Sequence, residues 1–183
     1  SVSIAASDLD LDGKIDLVYG SGDMNDQVTI LAMGQCVHDA LDAAKELKDG
    51  EDPVRVRVLN VSCIRPIDST MVMQAALETG HLVVVEDHHS EGGLATQVAD
   101  IIADFQLPCS LRRLGVNQYF PSGPAEDLKF LAGLDKDSII DAVQDEVRTE
   151  VKGGDDALVS TIYGFMHNLS FSRFRPTAEA FGE

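Results

Sequence analysis

Basic side chains are scarce in this chain: 14 lysines and arginines stand against 31 aspartates and glutamates, a formal net charge of −17. That balance excludes non-specific nucleic-acid binding, which needs lysine and arginine to displace counterions. It also disfavours an anionic membrane surface. Cysteine is scarcer still. Three in 183 residues build no disulfide scaffold and would leave one unpaired, which fits a reducing compartment and a cytoplasmic location. Long apolar runs are missing as well: Leu82 to Val85 falls far short of the roughly 20 residues that span a bilayer. No basic-then-apolar leader opens the chain, so no secretory signal is read. Ser1 in place of Met sets the expectation of a processed chain or a piece of something longer. Internal repeats and low-complexity tracts are absent too.

What is present is a regular alternation of strand-like and helix-like runs between residues 27 and 151. Val28 to Met33 is a buried-strand pattern closed by Gly34. Residues 37–48 then place Val37, Leu41, Ala44 and Leu47 on one helical face. Val54 to Leu59 alternates strictly and reads as a second strand. Asp68 caps a helix running to Glu78, and Gly80 stops it. His81 to Glu86 is continuously apolar until its last residue, as suits a strand covered on both faces. Gly92 and Gly93 lead into the helix LATQVADIIADF, Leu111 to Val116 is a fourth strand, and two shorter helices follow near 124–132 and 137–151. Strands separated by helices of this length predict an α/β fold, a mainly parallel (mixed) sheet with helices on both faces. The flanks differ. Residues 1–26 form an acidic N-terminal segment with one strand-like run at Ile15 to Tyr19. Residues 152–183 comprise a linker (KGGDD) and a tail with Leu158, Ile162, Phe165 and Leu169 at helical spacing.

Chemistry-bearing motifs are few. The first strand-to-helix turn, Gly34 to Asp39, has one glycine where a dinucleotide fingerprint needs three, and no P-loop lysine motif occurs elsewhere. Glu86-Asp87-His88-His89-Ser90-Glu91-Gly92-Gly93 follows a strand's carboxyl end, where open α/β sheets place ligands. Its histidines and carboxylates are the residue types for a metal or a proton shuttle, but adjacent side chains diverge, so a solvated loop is the better reading. The amides of Gly92 and Gly93, with His88, His89 and Glu91 around them, could instead meet an anion or a carboxylate of another domain at a helix N-terminus. Asp8, Asp10, Asp12 and Asp16, with Gly13 between, have the oxygen spacing of a Ca2+ loop, although Tyr19 stands where an EF-hand has its bidentate glutamate. Cys36, Cys63 and Cys109 sit beside apolar runs and read as small hydrophobes. No nucleophile, base and orienter set can be assembled, so no catalytic or cofactor-binding residue is assigned.

The core nevertheless resembles a family. The run DQVTILAMGQCVHDALDAAKEL is followed by VRVLNVSCIRPIDSTMV, by HLVVVEDHHSEGGLATQVAD and by a stretch from Leu114 to Val143. Together, residues 26–144 look like the C-terminal domain of transketolases. Arg65-Pro66-Ile67-Asp68, the stretch VVEDHHSEGG and the pair Ser122-Gly123 before Leu134-Asp135 are its most specific pieces. The resemblance implies an enzyme that moves two-carbon ketol units between sugar phosphates in the pentose phosphate pathway, using thiamine diphosphate and Mg2+. In that family the cofactor, its metal and the acid–base residues belong to the two preceding domains. The third domain supports assembly and regulation, so the resemblance carries over no catalytic residue. Residues 1–20 and 152–183 match nothing in the family. The implied partners are the cofactor-binding domains or subunits of a transketolase, with a homodimer as the other candidate. The competing reading is a free-standing binding module, dependent on calcium or an anion, that reuses this domain.

Overall fold

The computed structural model describes residues 26–151, the backbone of residues 16–19, and Gly164. The chain divides into one unit over residues 1–152 and another over 153–183. All described residues except Gly164 belong to the first. Their elements, in chain order, are β1 (Asp16–Tyr19), β2 (Val28–Ala32), α1 (Cys36–Asp49), β3 (Val56–Asn60), α2 (Ser69–Thr79), β4 (His81–His89), α3 (Leu94–Asp104), β5 (Ser110–Val116), α4 (Ala125–Ala132) and α5 (Lys136–Val147).

Five strands form one mixed sheet in the order β1-β3-β2-β4-β5. β3, β2, β4 and β5 run parallel, with Ile30 opposite Val58 on one side and Val83 on the other. β1 is antiparallel to β3, pairing Asp16 with Asn60. Each parallel connection needs a crossover, and a helix supplies it in all three cases. The alternating side chains of the strands divide the core in two. Val28, Ile30, Val58, Val83 and Val85 belong with Ala40, Ala44, Ile139 and Val143 of α1 and α5 to one cluster. The other face receives α2 and α3, which bury Val72, Met73, Ala76, Leu94 and Val98.

Local signals account for much of this. The Asp68 carboxylate accepts the Met71 N–H at 3.1 Å, and Gly80 turns left-handed at φ +68° so that its N–H reaches the Ala76 carbonyl at 3.0 Å. These are the start and stop that the sequence shows.

Two strands depart from the pattern read in the sequence. β3 spans Val56–Asn60 and is buried on both faces instead of alternating. Arg57, which alternation would place in water, is buried, because its guanidinium donates to Asp26 at 3.2 Å and to Glu78. Paired in this way, an arginine can lie in an interior that an unpaired charge could not occupy. β4 runs three residues past Glu86, to His89, with Asp87, His88 and His89 exposed.

Candidate functional site

The strand order reverses at the centre of the sheet. β2 connects through α1 to β3 on one side, whereas β4 connects through α3 to β5 on the other. The crevice beyond the carboxyl ends of β2 and β4 is therefore the topological switch point, where open α/β folds bind ligands. The N-termini of α1 and α3 both border it.

On the β2 side, Gly34 adopts φ +58° and lets the chain turn into α1. The first amides of this helix are already used: Cys36, Val37 and His38 donate to the carbonyls of Met33, Gly34 and Gln35 at 3.2, 3.3 and 3.2 Å. The Cys36 thiol is buried, and burial followed by the nearby Asp87 carboxylate pushes its pKa up to about 11. Burial and Glu146 push Cys109 up to about 11 as well. Thiols held protonated at neutral pH are poor nucleophiles. All three cysteines are free. Lys129 closes this side from α4, with its ammonium 2.6 Å from Asp39. That hydrogen bond raises the lysine pKa.

On the β4 side, Glu86 is fully buried. Its two carboxylate oxygens accept the N–H groups of Leu94 at 2.7 Å and Ala95 at 2.9 Å. The anion at the N-terminus of α3 is thus a side chain of the same protein, reaching across eight residues to satisfy two of the helix's free donors. Gly93 makes room for it, since a Cβ there would lie 2.0 Å from Glu86 Oε2. Gly92, at φ +83°, donates its N–H to Thr96 Oγ1 at 2.8 Å.

His88, His89 and Glu91 are exposed beyond this cap. His88 Nδ1 lies 3.0 Å from the His89 carbonyl, which requires a proton on that nitrogen, so a neutral His88 presents Nε2 as an acceptor. His89 Nδ1 accepts the Glu91 N–H at 3.2 Å, so a neutral His89 carries its proton on Nε2. The two rings therefore offer solvent one acceptor and one donor.

Among the described residues, no three His, Cys, Asp or Glu side chains group as a metal site. Asp8, Asp10 and Asp12 lie outside the described residues. Asp16 is described in its backbone alone, as the first residue of β1. No helix among the described residues is long and apolar enough to cross a membrane.

The sequence pattern includes Glu86 among the carboxylates of a candidate metal or proton-shuttle cluster, not as the cap of α3, and it places Arg57 as an outward side chain. A signal for Glu86 is nevertheless present: α3 begins after Gly-Gly with no Ser, Thr, Asp or Asn at its N-cap, so its donors need an acceptor from elsewhere.

Comparison with known proteins gives consistent results. The sequence model of the family described as transketolase, C-terminal domain, matches residues 22–139. Transketolase of Mus musculus is 36% identical over 133 residues, covering 72% of this chain and 20% of the relative. One subunit of the apulose-4-phosphate transketolase of Actinobacillus succinogenes is 33% identical over 131 residues, covering 70% of this chain and 40% of the relative. Among solved structures, a split-gene transketolase described as an inactive β4 tetramer superposes with a TM-score of 0.69 at 29% identity, covering 79% of this chain and 46% of that one. This chain therefore spans between a fifth and two fifths of these two curated relatives.

Proposed function

Since this chain belongs to the transketolase C-terminal domain family, we propose that it is the third domain of a transketolase, carried on a longer chain or supplied as a separate subunit. It contributes assembly and regulation, not catalysis. In this reading residues 27–151 are the domain and residues 1–26 and 152–183 its flanks, the first of which lends β1 to the edge of the sheet. The parent enzyme moves two-carbon ketol units between sugar phosphates in the cytoplasmic pentose phosphate pathway. Its thiamine diphosphate and Mg2+ are held by domains or subunits other than this one. The observation that carries the reading is the family match across residues 22–139. It is joined by the Actinobacillus relative, itself named as a subunit, of which this chain covers 40%.

The described residues do not fit the cofactor. A diphosphate–magnesium site needs converging oxygen ligands and free donors for the phosphates. At the switch point the α3 donors are taken by Glu86, and the first amides of α1 by backbone carbonyls. No catalytic step is therefore derived through it. What the carboxyl edge offers is a polar rim: His88, His89 and Glu91, beside Gly92 and Gly93, form the contact for a neighbouring domain.

The test is a coupled transketolase assay on the purified chain with thiamine diphosphate and Mg2+, beside calorimetric titration of the cofactor. The chain alone should give no turnover and no saturable binding, and turnover should appear when cofactor-bearing transketolase chains are added. Saturable turnover or micromolar cofactor binding by the chain alone would overturn the reading. The alternative, a calcium-dependent module using Asp8, Asp10, Asp12 and Asp16, rests on their spacing alone. Titration with Ca2+ in the same calorimeter, showing micromolar affinity lost in Asp10→Ala, would favour it.

A further inference from the structure

α4 borders the switch-point crevice, yet little of it is packed. It has no buried residue, and Phe130 and Leu131 face water at 70% and 55% exposure. Of its other apolar residues, Ala132 packs against the core cluster and Leu128 is half-buried. Apolar burial therefore does little to hold the helix down. What crosses to the rest of the domain is charge. The Lys129 ammonium donates to Asp39 Oδ2 at 2.6 Å, 90 residues away in sequence and in the first turn of α1. Among the described residues this is the one hydrogen bond or ion pair between an α4 side chain and another element. The two ends of the helix differ. At its exit Leu134 is buried, with its N–H on the Lys129 carbonyl at 2.9 Å, and Gly133 turns there at φ +67°. At its entrance residues 121–127 are exposed throughout. A helix pinned at one end, open at the other and tied down by a single ion pair has the form of a hinged lid.

We propose that α4 is a lid over the α1 side of the crevice, that Lys129 and Asp39 are its latch, and that it opens about Gly133 while the sheet stays folded. The groups beneath it are those that the Lys129 charge reaches. The hydrogen bond to Asp39 raises the lysine pKa, and the nearby Asp87 raises it further. Burial raises the Cys36 thiol, and the same ammonium offsets part of that rise. Cys36 itself is fully buried, at the first position of α1. Lifting Lys129 leaves Asp39 and Asp87 without their shared cation and gives water a path to the thiol. The latch is weak by construction. Its two side chains are 26% and 25% exposed, so water competes for each and salt screens the pair. The closed lid is then the major state, and the open one a minor state reached by breaking one contact. The α3 terminus keeps its Glu86 cap in both.

Alkylation of the native full chain by a maleimide, with Cys36 followed by peptide mass, tests the proposal. Burial is the first cause of the raised thiol pKa, so the thiol regains ordinary reactivity when the lid is up. Cys36 should be modified faster than global unfolding allows, at a rate that low urea barely changes, because a local opening exposes little surface. Lys129→Met, which keeps an apolar stem and removes the charge, should speed modification by about fivefold, the upper end for one partly exposed ion pair. Added salt should speed the wild type and have less effect on this variant. Lys129→Glu should open the lid further, and adding Asp39→Lys to it should return the rate toward wild type. Hydrogen exchange of the β2 and β4 amides, which follows the global stability, should be the same in Lys129→Met and wild type. Lys136→Met breaks the exposed pair with Glu46 elsewhere on α1 and should leave Cys36 modification unchanged. Modification of Cys36 only at the rate of global unfolding would overturn the proposal. So would wild-type labelling in Lys129→Met, or a charge-swapped pair as fast as Lys129→Glu alone. Exchange of β2 and β4 that quickens in step with labelling would also overturn it, since the ion pair would then support the whole fold and not a lid.

Discussion

A single methyl group at position 93 would lie 2.0 Å from a carboxylate oxygen of Glu86, closer than any non-bonded pair tolerates. Either the helix start or the glutamate must move, and both hydrogen bonds to Leu94 and Ala95 depend on neither moving. Hydrogen bonds to a charged group contribute about 1.5–3 kcal/mol each. Gly93→Ala should therefore destabilise the fold by about 3 kcal/mol or more, read as a lower urea midpoint with an unchanged slope. Glu86→Gln keeps one acceptor but turns an NH2 toward a backbone donor, and should cost about 1–3 kcal/mol. An alanine variant within about 0.5 kcal/mol of wild type would mean that the carboxylate has another rotamer with equal bonding. The sequence marked this helix start as a place for an anion or a carboxylate, but not which residue supplies it. Glu86 reads there as the polar end of an apolar strand, and its partners lie eight and nine residues away, beyond any local pattern.

Elements divide by the range of the interactions that make them. α2 was legible because Asp68 and Gly80 act within one turn of their own helix. β4 was legible because an apolar run speaks for itself, although only as far as Glu86. The antiparallel pairing of β1 with β3 was not, since a four-residue strand carries no mark of its neighbour. The alternation around Arg57 misled for a related reason: it reports which side chains are polar, not whether a counter-charge waits on the other side. Here Asp26, just before β2, and Glu78, near the end of α2, meet on the guanidinium, so two ion pairs tie β3 to α2 and to the segment entering β2. Arg57→Met would leave both carboxylates without that charge. The expected loss is about 3–5 kcal/mol in chemical denaturation. Adding Asp26→Asn and Glu78→Gln to the same variant should recover part of it, because the uncompensated charge is then gone. No recovery would show that the arginine acts through packing of its stem and not through its charge.

For the molecule as a whole, charge and topology act at different levels. The fold class was legible because strand and helix periods alternate along the chain and agree with the sheet that forms. The switch-point geometry was not, since it depends on strand order. The −17 charge has little to do with the fold but weakens it through self-repulsion. The melting temperature, taken at a concentration where the chain is monomeric, should rise as salt goes from about 0.01 M to about 0.15 M, shrinking the screening length from roughly 30 Å to roughly 8 Å. The rise should flatten beyond that. A melt indifferent to salt would mean that the acidic side chains are already too far apart or too well paired to matter.

The carboxylate beneath α3 also settles a competition. A mobile phosphate arriving at that helix would have to displace a group tethered by a short loop, whose effective concentration is of millimolar order or higher before any geometric advantage is counted. Bonded to Leu94 and Ala95 at 2.7 and 2.9 Å, Glu86 holds the helix donors that open α/β sheets elsewhere present to diffusing anions. The helix terminus is in this sense already occupied. Emptying it takes a substitution such as Glu86→Ala, and only then would the helix terminus compete for solutes at ordinary cellular concentrations.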